Sequence, residues 1–465
     1  MNIRTKILFG LLFLLIITKH SFAQTETLAK FATELQYNKV PSLEHKTQNS
    51  KNYWLAAAEV FGLNILVWAD SRYITHQDWA YISGESIKNN FKKGFTWDGD
   101  SFVMNQFLHP FHGSIYYNAA RTNGLSFWES APYAFGGSLM WEYAMEIERP
   151  SYNDLMNTTL SGIMLGEITY RLSDIIIDES TVGFERVIRE LTASIINPAK
   201  GFNRLIQGKL WRHGANNKSH KLSLELSLGI NSLFIDNNIS KSYLYSLTTF
   251  DINYGNKFKL SQHKKPFDYI RIHGEMSFTN GDNIFGISAS GVLWDKKFRF
   301  LNTKNNIIAF YKEFDYLENY VYKFSAASAT SEATNMAVLG NNIVLQSSVG
   351  FSTVFVGGSN SVYSSEVGKN YNLGPGLGMR LILNLKLAKK IEVNFKYRQF
   401  WIHILNGLSG DEFIGFHKLG ISYLLHKSNS IGMDVIFYER HGVYADYPDI
   451  YSSNVSLRVF SKFYF

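Results

Sequence analysis

The sequence contains no cysteine among its 465 residues. That excludes a disulfide framework, thiol catalysis and cysteine-ligated metal, and leaves the fold to packing and hydrogen bonds. Long apolar runs are also missing. After residue 23 no stretch reaches about 18 apolar residues, so no membrane-crossing helix is readable. Charged residues make up only 18%. The formal charge is +7, but no basic cluster is interleaved with a binding motif, so no nucleic-acid partner is expected. His-Glu-x-x-His, Gly-x-Ser-x-Gly and phosphate-binding loops are absent too. No metal and no cofactor is expected.

Aromatic residues, in contrast, are plentiful: 27 Tyr and 35 Phe. Mean hydropathy is close to neutral at −0.12. A transmembrane barrel hides its apolar residues in alternate positions, so its average stays near zero. The chain starts with Arg4 and Lys6, an apolar run from Leu8 to Thr18, and Ser21-Phe22-Ala23 before Gln24. This has the form of a secretory signal peptide over residues 1–23, too short for a membrane span. No lipid-anchoring cysteine follows. Residues 24–49 read as an N-terminal extension.

The pattern then changes once. Residues 50–212 carry helical periodicity, and 219–465 alternate with period two. The polar linker Arg212 to Lys218 separates them. Leu222, Leu224, Leu226, Leu228 and Ile230 interleave with Ser223, Glu225, Ser227 and Gly229. Met379, Leu381, Leu383 and Leu385 do so with Arg380, Asn384 and Lys386. Ile391, Val393, Phe395 and Tyr397 do so with Glu392, Asn394, Lys396 and Arg398. These runs approach ten residues, the length of a transmembrane strand and about twice that of a soluble one. The last run ends in Phe463 and Phe465, like the C-terminal assembly signal of bacterial outer-membrane proteins. Short connections are read at Lys427-Ser428-Asn429, Ala388-Lys389-Lys390 and Asp295-Lys296-Lys297. Longer ones are read over 357–374, 406–412 and 440–452. This parity predicts about twelve antiparallel strands, the weakest of them near residues 320–337. The expected fold is a membrane all-β barrel behind an α-helical domain.

In the helical part, spans are predicted over 52–73, from 101 or 110 to 123, and over 126–148, 151–174 and 181–207. Ser151 and Asp154 have capping-box spacing. Phe184, Val187, Ile188, Leu191 and Ile195 share one face of the last span. Polar residues concentrate between 98 and 167. Asn105, His109, His112 and Tyr116 fall on one helical face, which Pro110 either starts or kinks. Arg121 lies one turn on, Glu142 and Glu146 are i, i+4 partners, and Glu167 follows Gly162 and Gly166. The candidate catalytic residues are His109, His112, Glu142, Glu146 and Glu167, since imidazoles and carboxylates from several helices supply a general base and its orienting acid. Asn105, Tyr116, Arg121 and Asp154 are the candidate binding residues. The structural alternative has His109 capping a helix, Asp154 as a cap, and Arg121 paired with Glu142 or Glu146.

The stretch Asp100, Asn105, His109-Pro110, Gly113, Tyr116-Tyr117, Ala120-Arg121, Gly124, Ser130, Ser138, Trp141-Glu142, Glu146, Ser151, Asp154 and Gly166-Glu167 resembles an uncharacterised family of Gram-negative envelope proteins. In that family a helical domain of unknown function precedes an outer-membrane barrel. The resemblance implies location and domain order and brings no activity.

The first functional expectation is an integral outer-membrane protein of structural, transport or envelope-maintenance role. Its helical domain plugs the lumen or docks a partner on the periplasmic side, and Glu225, Arg271, Glu275, Arg380, Lys396, Arg398 and Arg458 line the lumen. Outer-membrane lipids, the barrel-assembly machinery and a periplasmic protein are the expected partners. The alternative is an outer-membrane lipid or glycolipid hydrolase, or a metal-dependent enzyme, built on the His/Glu cluster.

Overall fold

The computed structural model describes residues 51–465 apart from 98, 100, 215–221, 236–241, 259–264, 279–282, 301–302, 340–341 and 364–369. The signal-peptide and extension readings, Asp100 and most of the 212–218 linker therefore lie outside the described residues.

Among the described residues there are seven α-helices: α1 (Tyr53–Ala69), α2 (Gly84–Lys93), α3 (His109–Thr122), α4 (Phe127–Ala144), α5 (Tyr152–Ile176), α6 (Gly183–Ile196) and α7 (Pro198–Ile206). No helix among these residues is long and apolar enough to cross a membrane. Twelve antiparallel strands follow: β1 (Leu222–Ile235), β2 (Ser242–Tyr254), β3 (Ile270–Phe278), β4 (Asn283–Phe300), β5 (Thr303–Glu318), β6 (Lys323–Leu339), β7 (Ile343–Asn360), β8 (Tyr371–Leu387), β9 (Ile391–Ile404), β10 (Gly410–His426), β11 (Asn429–Tyr444) and β12 (Ile450–Tyr464). Each pairs with its sequence neighbours, and β1 pairs with β12, so the sheet closes. The end at which β1 begins and β12 finishes is called proximal below, and the opposite end distal.

Period two sets the two faces. Leu377, Leu419, Ile421 and Val459 point outward and stay about half exposed. Their neighbours point inward, and Glu313, Asp315 and Arg458 are each no more than 2% exposed. Apolar outside and charged inside is the inverse of a water-soluble protein and fits a barrel wall in lipid.

The expected turns at 388–390 and 427–429 stand where the parity placed them. Asp295 to Lys297 do not form a turn. They pair with Ala309, Ile308 and Ile307 within the β4–β5 ladder, because the strand continues past its apolar stretch.

The helices stand beside the barrel. Outward-facing Phe314, Tyr316, Ile270, Ile272, Tyr371 and Leu373 share one core with Phe102, Tyr117, Phe127, Met164 and Ile168 of the helical part. The strand neighbours of these wall residues, Arg271 and Asp315 among them, line the lumen. These contacts lie on the outer side of the wall, whereas the expectations were a plug in the lumen or a bundle below the barrel. β6 supplies the reason: its outward positions Ser325, Ala327 and Ala329 are small, so a helix approaches closely. Strand irregularities at Ala327/Ser328 and between Val354 and Gly357 turn Val356 outward against the helices.

α5 runs along the wall for 25 residues, about 37 Å of helix. Near its start Asn157 Nδ2 donates to Asn105 O (3.1 Å), and Asn105 Nδ2 donates to Tyr371 OH at the distal end. Near its finish Arg171 reaches Asp268 Oδ1 (2.9 Å) and Pro266 O (2.7 Å) at the proximal end.

Candidate functional site

The predicted site residues occupy two clusters on the parallel pair α3 and α5. The pair packs at backbone contact: a Cβ added to Gly113 would lie 1.7 Å from Thr158 O, and one on Gly162 2.6 Å from Gly113 Cα. Glycine at both positions is what lets the polar faces of the two helices meet.

The first cluster caps the start of α5. Ser151 Oγ accepts from Asp154 N (3.2 Å), and Glu142 Oε2 accepts from Ser151 N (2.6 Å). Ser151 Oγ donates to Asn153 Oδ1 (2.9 Å), and Asn153 Nδ2 to Asp154 Oδ1 (2.9 Å). His109 Nε2 faces Asp154 Oδ1 at 3.6 Å, beyond a direct hydrogen bond. His109 does not cap a helix, because a π-helical turn, Met104–Leu108, leads straight into α3. A wider turn frees the backbone acceptor that Pro110 cannot bond. The same turn shifts the helical phase, which takes Asn105 off the predicted stripe and onto the barrel wall. His112 packs against Tyr116 and Trp141, with ring centroids 4.6 and 5.5 Å away. Burial, with His109 adding to it, pushes the His112 imidazole down to about 3. At neutral pH such an imidazole is uncharged, with one ring N–H, and is a weak general base. Tyr116 OH donates to Asn64 Oδ1 on α1, a partner the sequence did not mark.

Glu146 lies beyond the end of α4, so it is not an i, i+4 partner of Glu142. Its Oε2 accepts from Trp141 Nε1 (3.2 Å).

The second cluster lies at the other end of α3, about 20 Å away by helical rise. Glu167 is fully buried. It accepts from Arg121 Nε (2.7 Å) and Nη2 (3.1 Å), Arg171 Nε (2.8 Å) and Tyr117 OH (2.8 Å). Arg121 thus pairs with Glu167, not with Glu142 or Glu146. Burial alone would raise the Glu167 carboxyl, but Arg121 and then Arg171 overcome it and hold it below its ordinary range. Four donors leave this carboxylate no vacancy for a substrate proton. It is a tie between helices, and Arg171 extends the tie to the barrel. Sequence spacing gave no sign of Arg171, which lies one turn after Glu167 on α5.

The two clusters are too far apart to act on one substrate. Among the described residues, no three His, Asp or Glu side chains are placed to hold a metal ion.

Residues 94–199 match the family described as a domain of unknown function (DUF3943). Both polar clusters fall inside that segment. No curated protein matches the chain. Similar solved structures include the KdgM porin (10% identity, TM-score 0.26, 51% of this chain and 98% of that one). The NanC porin is also similar (9%, 0.29, 51% and 98%), as is Omp33 of Acinetobacter baumannii (10%, 0.23, 52% and 99%).

The barrel interior is the second place where polar groups converge. A chamber of about 330 Å³ is lined by charged and hydroxyl side chains of most strands. It reaches from Glu225, Asn253, Glu392 and Lys462, near the proximal end, to Glu313, Arg380 and Arg458 at mid-height. Its arginine pairs brace strands that are not neighbours, and its lysine and histidine pairs join strands that are. Arg398 of β9 bonds Asp315 of β5 (2.5 and 2.6 Å), and Arg458 of β12 bonds Glu275 of β3 (2.9 Å for Nη1). Arg380 joins Glu313 and Glu332 (2.5 Å to the latter). Lys418 meets Asp434 (2.5 Å), His273 meets Asp251 (3.0 Å), Lys462 meets Glu225 (3.3 Å) and Lys386 meets Glu392 (3.7 Å).

Above this chamber the lumen is apolar. Inward-facing Tyr322, Phe324, Phe400, Ile402, Ile414 and Ile436 fill it. Closer to the distal rim, Glu412 accepts from Arg440 Nε (2.9 Å), Tyr444 OH (2.6 Å) and Asn372 Nδ2 (3.2 Å).

Proposed function

We propose that this chain is an integral outer-membrane protein whose barrel is a one-ended vestibule rather than a through-pore, with a structural role in the envelope. The observation that carries this reading is the packed lumen segment around Phe324 and Phe400, whose rings lie 4.6 Å apart between β6 and β9. A twelve-stranded barrel is narrow, and side chains that meet across it exclude hydrated solutes. The full-length protein in a planar bilayer is expected to show no discrete conductance. Replacing Tyr322, Phe324 and Phe400 together with alanine is expected to produce steps. Steps from the unaltered protein would overturn the proposal.

In this reading the helical bundle rests on lipid as well as on the wall. α6 and α7 turn their charges inward: Arg204 bonds Glu190 (2.8 and 2.9 Å) and Glu179 (3.2 Å), and Arg186 bonds Glu190 (2.8 Å). Phe184, Leu191, Ile195, Phe202 and Leu205 face outward, each more than half exposed. A helix with this polarity, next to a lipid-facing wall, fits the acyl boundary of the proximal leaflet. A non-enzymatic role is supported by the saturated Glu167 and by Glu142, which serves the α5 cap.

A further inference from the structure

The vestibule lining holds seven carboxylates and seven lysines or arginines, but their pairing is uneven. Among the described residues every carboxylate on its wall has a basic partner within 4 Å, a histidine in the case of Asp251 and a lysine or arginine for the others. Among the described residues two wall cations, Arg271 and Lys396, have no carboxylate at that distance. The Lys396 ammonium lies 5.3 Å from the centre of the Phe416 ring.

The register sharpens the unevenness. Lys396 of β9 stands directly opposite Lys418 of β10, and like charges facing each other across a ladder are destabilising. Lys418 is neutralised by Asp434, whereas Lys396 is not. Arg398, on the same face two residues on, is already held by Asp315. Across the chamber Arg271 of β3 lies between Asn253 and Ser290 in the ladder, flanked by hydrogen-bonding groups that carry no charge. All of these side chains face one chamber, whose volume of about 330 Å³ is at the small end of the roughly 300–1,000 Å³ typical of small-molecule sites.

Two half-buried cations with no carboxylate in direct contact, inside a narrow, partly desolvated chamber, make a locally positive spot that water screens poorly. We infer that the vestibule is a binding site for a small anion, a phosphate or carboxylate compound admitted from the proximal end, with Lys396 and Arg271 as its charged ligands. The arginine offers a planar fork of donors and the lysine a compact point charge, a combination suited to an oxyanion. Thr249, Ser290 and Asn394 on the same wall supply neutral hydrogen bonds. This inference needs the vestibule but not the distal seal, so it stands even if the barrel conducts.

The test uses full-length protein in detergent, titrated calorimetrically with inorganic phosphate and separately with succinate, and choline chloride as the cationic control. Saturable binding of at least one anion and none of choline is expected. Lys396→Gln and Arg271→Gln should each weaken it about tenfold or more, the cost of one charge-assisted hydrogen bond. Lys93→Gln, on the exposed surface of α2, should leave it unchanged. A second readout guards against misfolding. Lys396→Gln removes a like-charge contact, so it should melt no lower than the parent without anion, yet lose the rise in melting temperature that phosphate gives the parent. Absence of saturable binding, or equal affinity in parent and both variants, would overturn the inference.

Discussion

In the barrel, Asp315 and Arg398 meet across a polar chamber; in the bundle, Glu167 and Arg121 meet between helices that touch at their backbones. Both regions turn charge inward and apolar groups outward, but they hold that charge differently. The wall is closed by an uninterrupted ring of backbone hydrogen bonds, and its ion pairs are braces added to a finished structure. The bundle has small apolar clusters of its own, around Ala56, Ala120 and Leu125 and around Val60, Tyr116 and Ala119, but polar groups are buried beside them. Asn64, Asn118, Asn123, Asn157 and Glu167 are buried in it, so its shape depends on side-chain hydrogen bonds being made in full.

The comparison predicts unequal tolerance. Glu167→Ala leaves Arg121 and Arg171 buried without their shared carboxylate, and a cost of about 3–5 kcal/mol is expected. Protease should then cut residues 94–199 while the barrel keeps its heat-modifiable mobility on a gel. If barrel and bundle are lost together, the two are one cooperative unit and the contrast fails.

A smaller effect is expected at the helix contact. Gly162→Leu forces α3 and α5 apart against Gly113 and Ser114, costing about 1–3 kcal/mol. The same protease assay should show partial protection. Full protection would mean that the close approach is dispensable.

The smallest effect on stability, and the sharpest on placement, comes from labelling. The chain is free of cysteine, so Leu191→Cys on α6, Leu419→Cys on the barrel wall and Lys93→Cys on α2 each give one reactive site. With an environment-sensitive fluorophore in liposomes, acyl-chain nitroxide lipids should quench positions 191 and 419 alike and spare 93. Quenching of 191 by aqueous iodide alone would place α6 in water.

The sequence disclosed the barrel because each strand meets two uniform media, and alternation records both. β6 was the weak strand for the same reason. Its outward side meets α5 rather than lipid, so Ser325, Ala327 and Ala329 stand where Leu or Phe would signal a membrane face. The bundle was less legible. Periodicity gives the direction of an apolar face but not what that face touches, and the stripe from Phe184 to Ile195 points away from the protein core. The π turn before Pro110 broke the phase that joined Asn105 to His109. α2, with the polar sequence Gly84 to Lys93, carries almost no apolar signal. Glu167 was marked as a candidate beside Gly162 and Gly166, and its ion-pair partners Arg121 and Arg171 come from a helical phase and a second helix that this spacing does not reveal.

The connection between β2 and β3 crosses the rim of the barrel. On its inner side Lys257 reaches Glu332 in the lumen, and on its outer side Asp268 holds Arg171 while Phe267 lies against Phe127. One stretch of backbone is therefore fastened both to the charges inside the vestibule and to the seat of the bundle outside. A solute that competes with Lys257 for Glu332 would act on the end of this connection inside the vestibule, opposite the end that seats α5.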